Sequence, residues 1–229
     1  MTVKYTLLSP TVITAITIAT AILLFARGGV SSPMQNAWAD RIIGTNAADT
    51  LTGTNDKDTI TGRGGSDVID ARSGEDKVSG GDGDDFRSPF GYLYGSQGND
   101  EVHGDDGSDF VYGGDGDDKV HGDDGSDFVG GDDRNELGGF RPGNDEVHGD
   151  DGSDIVHGNA GNDKLRGDDE NDRILGYAGN DRLFGGRRND VLFGDSGADS
   201  FDCGPGTYDK IEDFNPAEGD TKRGNCENF

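Results

Sequence analysis

Aspartate recurs every nine residues along most of this chain, and that period constrains the fold more than any other feature. One block runs through Asp49, Asp58, Asp67, Asp76 and Asp85. A second runs through Asp100, Asp109, Asp118, Asp127, Glu136, Asp145, Asp154, Asp163, Asp172, Asp181, Asp190 and Asp199. Of these 17 marker positions, 16 are Asp. Two residues after the marker, 15 of 17 are apolar, the exceptions being Arg87 and Gly138. Five residues before it, 15 of 17 are Gly, with Ala71 and Phe140 as exceptions, and two before it 12 of 17 are Gly. Such a period marks stacked units, each too small to bury an apolar face alone.

Each unit divides into six turn residues and three strand residues. Glycine reaches left-handed backbone angles without strain, so the turns are tight. Along the short strand the central apolar residue points inward and its neighbours outward. Successive strands then fall on two facing sheets, 18 residues complete a coil, and units two apart stack as parallel neighbours. The core is one apolar side chain thick.

That thin core meets an unusual composition. Asp and Glu number 46 against 20 Lys and Arg, for a formal charge of −26, and only 30% of residues are apolar. Such a chain stays disordered unless something positive stabilises it. Nucleic acid is excluded, because the acidic surface repels phosphates. Stacking also brings marker carboxylates of successive coils to about 4.8 Å, the strand spacing. Like charges so close repel, and buried turn carbonyls need partners. Ca²⁺ answers both needs, taking six to eight carboxylate and carbonyl oxygens in flexible geometry, whereas Mg²⁺ demands octahedral order and Zn²⁺ prefers His or Cys. The candidate ligands are Asp67, Asp85, Asp100, Asp109, Asp118, Asp127, Asp145, Asp154, Asp163, Asp181 and Asp199.

Units such as Gly113-Gly114-Asp115-Gly116-Asp117-Asp118-Lys119-Val120 closely resemble the RTX, or hemolysin-type, calcium-binding repeat. The resemblance implies a parallel β-roll with Ca²⁺ held between turns. The tail Asp209-Lys210-Ile211-Glu212-Asp213-Phe214 is similar to the segment that closes such rolls. The fold expected is therefore all-β: a right-handed parallel β-roll, or β-solenoid, over residues 40–202, with a small C-terminal cap over 203–229.

Residues 1–39 read as an export signal. A dense apolar stretch from Val12 to Phe25 follows Lys4, and Ala37-Trp38-Ala39 offers a small-x-small cleavage site. An uncleaved membrane anchor is the alternative. Either places the remainder outside the cytoplasm, secreted or held at a membrane. Cys203 and Cys226, the two cysteines, then read as one disulfide, stabilising the tail by about 3 kcal/mol in the chain-entropy view.

Other motifs carry less. Asp115-Gly116-Asp117-Asp118 lacks the twelve-residue loop and closing Glu of an EF-hand. No nucleophile has a base and orienter at a recognisable spacing, and the repeats leave no room for a catalytic domain, so a non-catalytic structural or interaction role is expected. His103, His121, His148 and His157 all follow a marker by three residues. They read as outward-facing copies from duplication, with a secondary metal site or pH sensor as the alternative. Between Asp85 and Asp100 the spacing is 15, an insertion of six that carries Phe86, Phe90, Tyr92, Leu93 and Tyr94. It reads as a loop folded over the roll or as an aromatic patch for a cell-surface or glycan partner. Around Phe140 the turn is degenerate but the phase holds, so the coil is expected to continue through it. Alternate markers then give one edge with 109, 127, 145, 163, 181 and 199. The other holds 100, 118, 136, 154, 172 and 190, and Arg134, Glu170 and Arg188 damage its turns. Ca²⁺ is expected in an unbroken row on the first edge, with Arg pairing the marker in place of the ion on the second, and roughly six to ten ions in all.

Overall fold

The computed structural model describes residues 23–24, 41–85, 92–132, 142–223 and 226–228, and every regular element among them is a strand. The first sheet stacks, in order, Leu23–Leu24, Arg41–Ile43, Thr59–Gly64, Lys77–Asp82, Glu101–His103, Lys119–His121, Glu146–Asp151, Lys164–Asp169, Arg182–Gly186, Ser200–Asp202 and Thr221–Arg223. The second stacks Thr50–Thr52, Val68–Asp70, Leu93–Gln97, Phe110–Asp115, Phe128–Gly130, Ile155–Ala160, Arg173–Ala178, Val191–Ser196, Lys210–Ile211 and Glu227–Asn228. Every pairing is parallel, and from Arg41 onward consecutive strands alternate between sheets, as a β-roll requires. Apart from Leu23–Leu24, whose backbone pairs with Ile42–Ile43, residues 1–39 and their signal or anchor lie outside the described residues.

One inward apolar residue per strand forms the core. Ile60, Val78, Val102, Val120, Val147, Leu165, Leu183 and Phe201 line the first sheet and are fully buried. Ile69, Leu93, Val111, Val129, Val156, Ile174 and Leu192 face them from the second. Leu93 fills the position that the nine-residue count assigned to Arg87, pairing with Ile69 and Val111. It is thus core rather than patch, and the insertion is 86–91.

The phase expectation around Phe140 is overturned. Lys119–His121 pairs directly with Glu146–His148, and Phe128–Gly130 with Ile155–His157. Partners here are 27 residues apart instead of 18. Gly131 and Asp132 begin a turn that Gly143, Asn144 and Asp145 complete, Gly143 N–H donating to Asp132 Oδ1 at 3.4 Å. Residues 133–141 are therefore an insertion as long as the repeat itself. Arg134, Glu136 and Phe140 lie outside the described residues, and the two edges exchange members beyond that point.

The turns use left-handed angles twice, not once. The glycine two before the marker adopts them, as at Gly125 and Gly161, with φ of 157° and 142°. Four before the marker the same region holds Asp105, Asp123, Asp150, Asn159 and Asp168, with φ of 68–75°. Asp and Asn tolerate this conformation best among side-chain-bearing residues. Beyond residue 202 pairing continues through Lys210–Ile211 and Thr221–Arg223, and Cys203 is bonded to Cys226 across a Cα separation of 5.4 Å.

Candidate metal centre

The marker aspartates form two continuous rows. The first holds Asp58, Asp76, Asp100, Asp118, Asp145, Asp163, Asp181 and Asp199, and ends on Asp220. In it each backbone N–H donates to Oδ1 of the next Asp at 2.6–3.0 Å. The second holds Asp49, Asp67, Asp85, Asp109, Asp127, Asp154, Asp172 and Asp190, and ends on Asp209, with the same bonds at 2.6–3.1 Å. The edges read from the sequence thus needed correction. Asp145, Asp163, Asp181 and Asp199 follow Asp100 and Asp118, while Asp109 and Asp127 lead to Asp154, Asp172 and Asp190.

Oδ1 is satisfied; Oδ2 is not. In the interior of both rows, from Asp76 to Asp199 and from Asp67 to Asp190, Oδ2 is buried without a hydrogen-bond partner. All the candidate ligands read from the sequence are among these, and the same geometry recurs at Asp76, Asp172 and Asp190. The row ends differ. Thr45 N–H donates to Asp49 Oδ2 at 2.6 Å and Thr54 N–H to Asp58 Oδ2 at 2.6 Å. Gly206 N–H donates to Asp209 Oδ2 at 3.1 Å and Asn215 N–H to Asp220 Oδ2 at 2.7 Å. Backbone N–H groups thus cap Oδ2 at the row ends, and the interior Oδ2 atoms have no such donor.

The glycine five before the marker is where this oxygen converges with another. A β-carbon on Gly122 would lie 2.6 Å from Asp127 Oδ2 and 2.6 Å from the Gly149 carbonyl oxygen of the next coil. At Gly158 the corresponding distances, to Asp163 Oδ2 and the Gly176 carbonyl, are 2.5 and 2.9 Å. Glycine leaves that space open beside every interior marker except Asp76, where Ala71 holds the position. Burial raises the carboxyl pKa values well above the ordinary range: to about 9 at Asp145, about 8 at Asp85, Asp118 and Asp172, and about 7 at Asp109, Asp127, Asp163 and Asp181. Bonds from backbone N–H groups offset this only in part, and neighbouring carboxylates add to it. Buried, half-satisfied carboxylates with adjacent carbonyls are the donor set of a hard divalent cation with oxygen ligands.

A family model for the RTX calcium-binding nonapeptide repeat matches residues 39–69, 52–86, 94–129, 141–174 and 175–207, more than half of the chain. The chain belongs to this RTX repeat family. It is a calcium-binding repeat protein with the parallel β-roll expected of one. The matches break between residues 86 and 94 and between residues 129 and 141, where the two insertions interrupt the coil. No curated protein matches the chain.

Three further features depart from the sequence reading. Arg188 does not pair with a marker: it lies 3.6 Å from Glu170, both at the left-handed turn position and both exposed. Asp132, fully buried and with its pKa raised by burial to about 7, was hidden by the nine-residue insertion. In the 86–94 segment, Tyr92 packs edge-on against Tyr94 and Tyr112, with ring centroids 5.7 and 6.0 Å apart, so this part lies along the second sheet. Phe86 and Phe90 lie outside the described residues.

Proposed function

We propose that this protein is an extracellular, non-catalytic module that folds when it meets Ca²⁺. The observation that carries the reading is the pair of interior rows of buried Oδ2 atoms without partners, closed at each end by backbone donors. In the interior rows Asp67, Asp85, Asp109, Asp127 and Asp154 would hold ions on one edge. Asp100, Asp118, Asp145, Asp163, Asp181 and Asp199 would hold them on the other, with turn carbonyls completing each shell. The bound ion supplies charge neutralisation that a core one side chain thick cannot replace, so binding free energy becomes folding free energy. Where free Ca²⁺ is scarce the chain stays loose; outside the cell it closes. The Cys203–Cys226 bridge suits an oxidising compartment.

Far-UV circular dichroism during a Ca²⁺ titration tests this. The chelated chain should be largely unfolded, gain β structure cooperatively with Ca²⁺, and respond little to Mg²⁺ at equal concentration. Equal β content in verified metal-free buffer would overturn the reading.

A further inference from the structure

On the outer face of the first sheet, away from the Asp rows, His103, His121 and His148 form a column. Their rings stack with centroids 4.7 Å apart at both steps and interplanar angles of 3° and 23°. The 133–141 insertion brings His148 beside His121; an unbroken nine-residue phase would place it on the opposite sheet. Each imidazole is held by a carboxylate of the following coil. Nδ1 of His103 lies 2.9 Å from Asp123 Oδ2, Nδ1 of His121 lies 2.9 Å from Asp150 Oδ2, and Nδ1 of His148 lies 3.0 Å from Asp168 Oδ2. Because metal binding needs the neutral ring, an ion bound here would displace the proton that Nδ1 shares with the carboxylate. Nε2 of His103 and of His148 face further carboxylates, Glu101 Oε1 at 3.4 Å and Glu146 Oε1 at 3.5 Å. The side chains are 18–26% exposed, held yet open to an ion from solvent.

We propose that this column is a second metal site, which takes one divalent transition-metal ion of the copper–zinc class with His121 as the shared ligand. Potential ligand atoms of His103, His121 and Asp123 all lie within 4.8 Å of one another, as do those of His121, His148 and Asp150. Two imidazoles and a carboxylate are poor donors for Ca²⁺, which selects oxygen. They suit Cu²⁺ and Zn²⁺, with Cu²⁺ favoured by the general order of divalent affinities. Bonds of about 2.0–2.1 Å let two nitrogens on one ion stand at most about 4 Å apart, so the rings tilt slightly towards each other on binding. Because both triads need His121, they compete for one ion.

The test is titration of the Ca²⁺-loaded full chain with Cu²⁺, followed by calorimetry and electron paramagnetic resonance, with Zn²⁺ in a parallel calorimetric run. One ion per chain should bind, with nitrogen coupling from two imidazoles, and excess Ca²⁺ should not displace it. His121→Gln should weaken binding at least about tenfold, and His103→Gln or His148→Gln only a few-fold, because the other pair remains. Circular dichroism in Ca²⁺ reports whether each variant folds, and should His121→Gln fail to fold, the wild-type resonance spectrum decides alone. No nitrogen-coupled Cu²⁺ in the wild type, wild-type affinity in a folded His121→Gln, or displacement by Ca²⁺ would each overturn the site. Failure of the calcium reading is separate, because it shows as an absence of Ca²⁺-induced folding before any Cu²⁺ is added.

Discussion

Within one marker aspartate the two carboxylate oxygens do different work. Oδ1 of Asp181 accepts the N–H of Asp163 at 2.8 Å and fixes the turn, while Oδ2 is left buried beside a Gly carbonyl. Asp190 is similar, its Oδ1 accepting Asp172 N–H at 2.9 Å and its Oδ2 buried beside the Cys203 carbonyl. What separates them is the residue two before the marker in their rows. Asp163, Asp181 and Asp199 follow Gly161, Gly179 and Gly197. Asp172 and Asp190 follow Glu170 and Arg188, which hold left-handed φ values of 85° and 82° at a cost glycine avoids. Those two side chains also place opposite charges at the turn. Alanine at either Asp removes the same hydrogen bond, so any difference reports the ion. Asp181→Ala should raise the Ca²⁺ midpoint for folding at least about fivefold, and Asp190→Ala less than about twofold, because oxygen-ligand number and charge set Ca²⁺ affinity. Equal shifts in a Ca²⁺ titration followed by circular dichroism would refute the asymmetry.

The coil is the element in which sequence reading did best and also failed. Inward apolar residues and alternating sheets follow from the period, because side chains alternate across a strand and a unit this small must stack; the expected three-residue strands are often longer, as at Thr59–Gly64 and Lys164–Asp169, because turn residues also pair with the next coil. The six-residue insertion at 86–91 was legible because it broke the count. The insertion at 133–141 was not, since a segment as long as the repeat preserves every later register while moving each later unit to the other edge. The clue was local: Phe140 and Gly138 occupy positions that tolerate neither. Asp132, the stacking of His148 on His121 and the true rows were hidden for the same reason. Deleting 133–141 should therefore join Asp132 to Pro142 and restore an uninterrupted coil. The variant should keep full Ca²⁺-induced β content, measured by circular dichroism, with a midpoint within about twofold of wild type, since it shortens a connection without touching an Asp of either row. Deleting nine residues from within the coil, such as 160–168, should instead exchange the edges of all later units and raise the midpoint substantially. Equal damage from the two deletions would place 133–141 within the coil. At the C-terminal end, the bridge joins Cys203 to Cys226, both buried in the core, and its reduction should loosen residues 203–228 first. Hydrogen exchange that rises uniformly along the roll on reduction would contradict this.

For the whole molecule, the dominant quantity is the proton and cation balance of a chain with formal charge −26. In the metal-free roll, burial raises the interior carboxyl pKa values to between about 6 at Asp67 and Asp76 and about 9 at Asp145. In the unfolded chain the same groups return to about 3.9. Between these limits the folded state binds more protons than the unfolded state, so its stability falls as pH rises. The contribution of these groups is fully present below about pH 4 and is lost progressively as pH passes through about 6 to 9. Protons therefore do in acid part of what Ca²⁺ does at neutral pH, by removing like charge from the two rows. Addition of Ca²⁺ reverses the sign, because the ion needs the ionised carboxylates and competes with protons for them. Two opposed trends follow. In chelator, β content by circular dichroism should be greater at pH 5.5 than at pH 8. In the titration, the Ca²⁺ midpoint should rise as pH is lowered from 8 to 5.5, with a steep dependence because several carboxylates must each release a proton. A chelated chain that gains structure on going from pH 5.5 to 8 would show that the rows are not buried in the metal-free state. A Ca²⁺ midpoint independent of pH would show that these carboxylates are not the ligands.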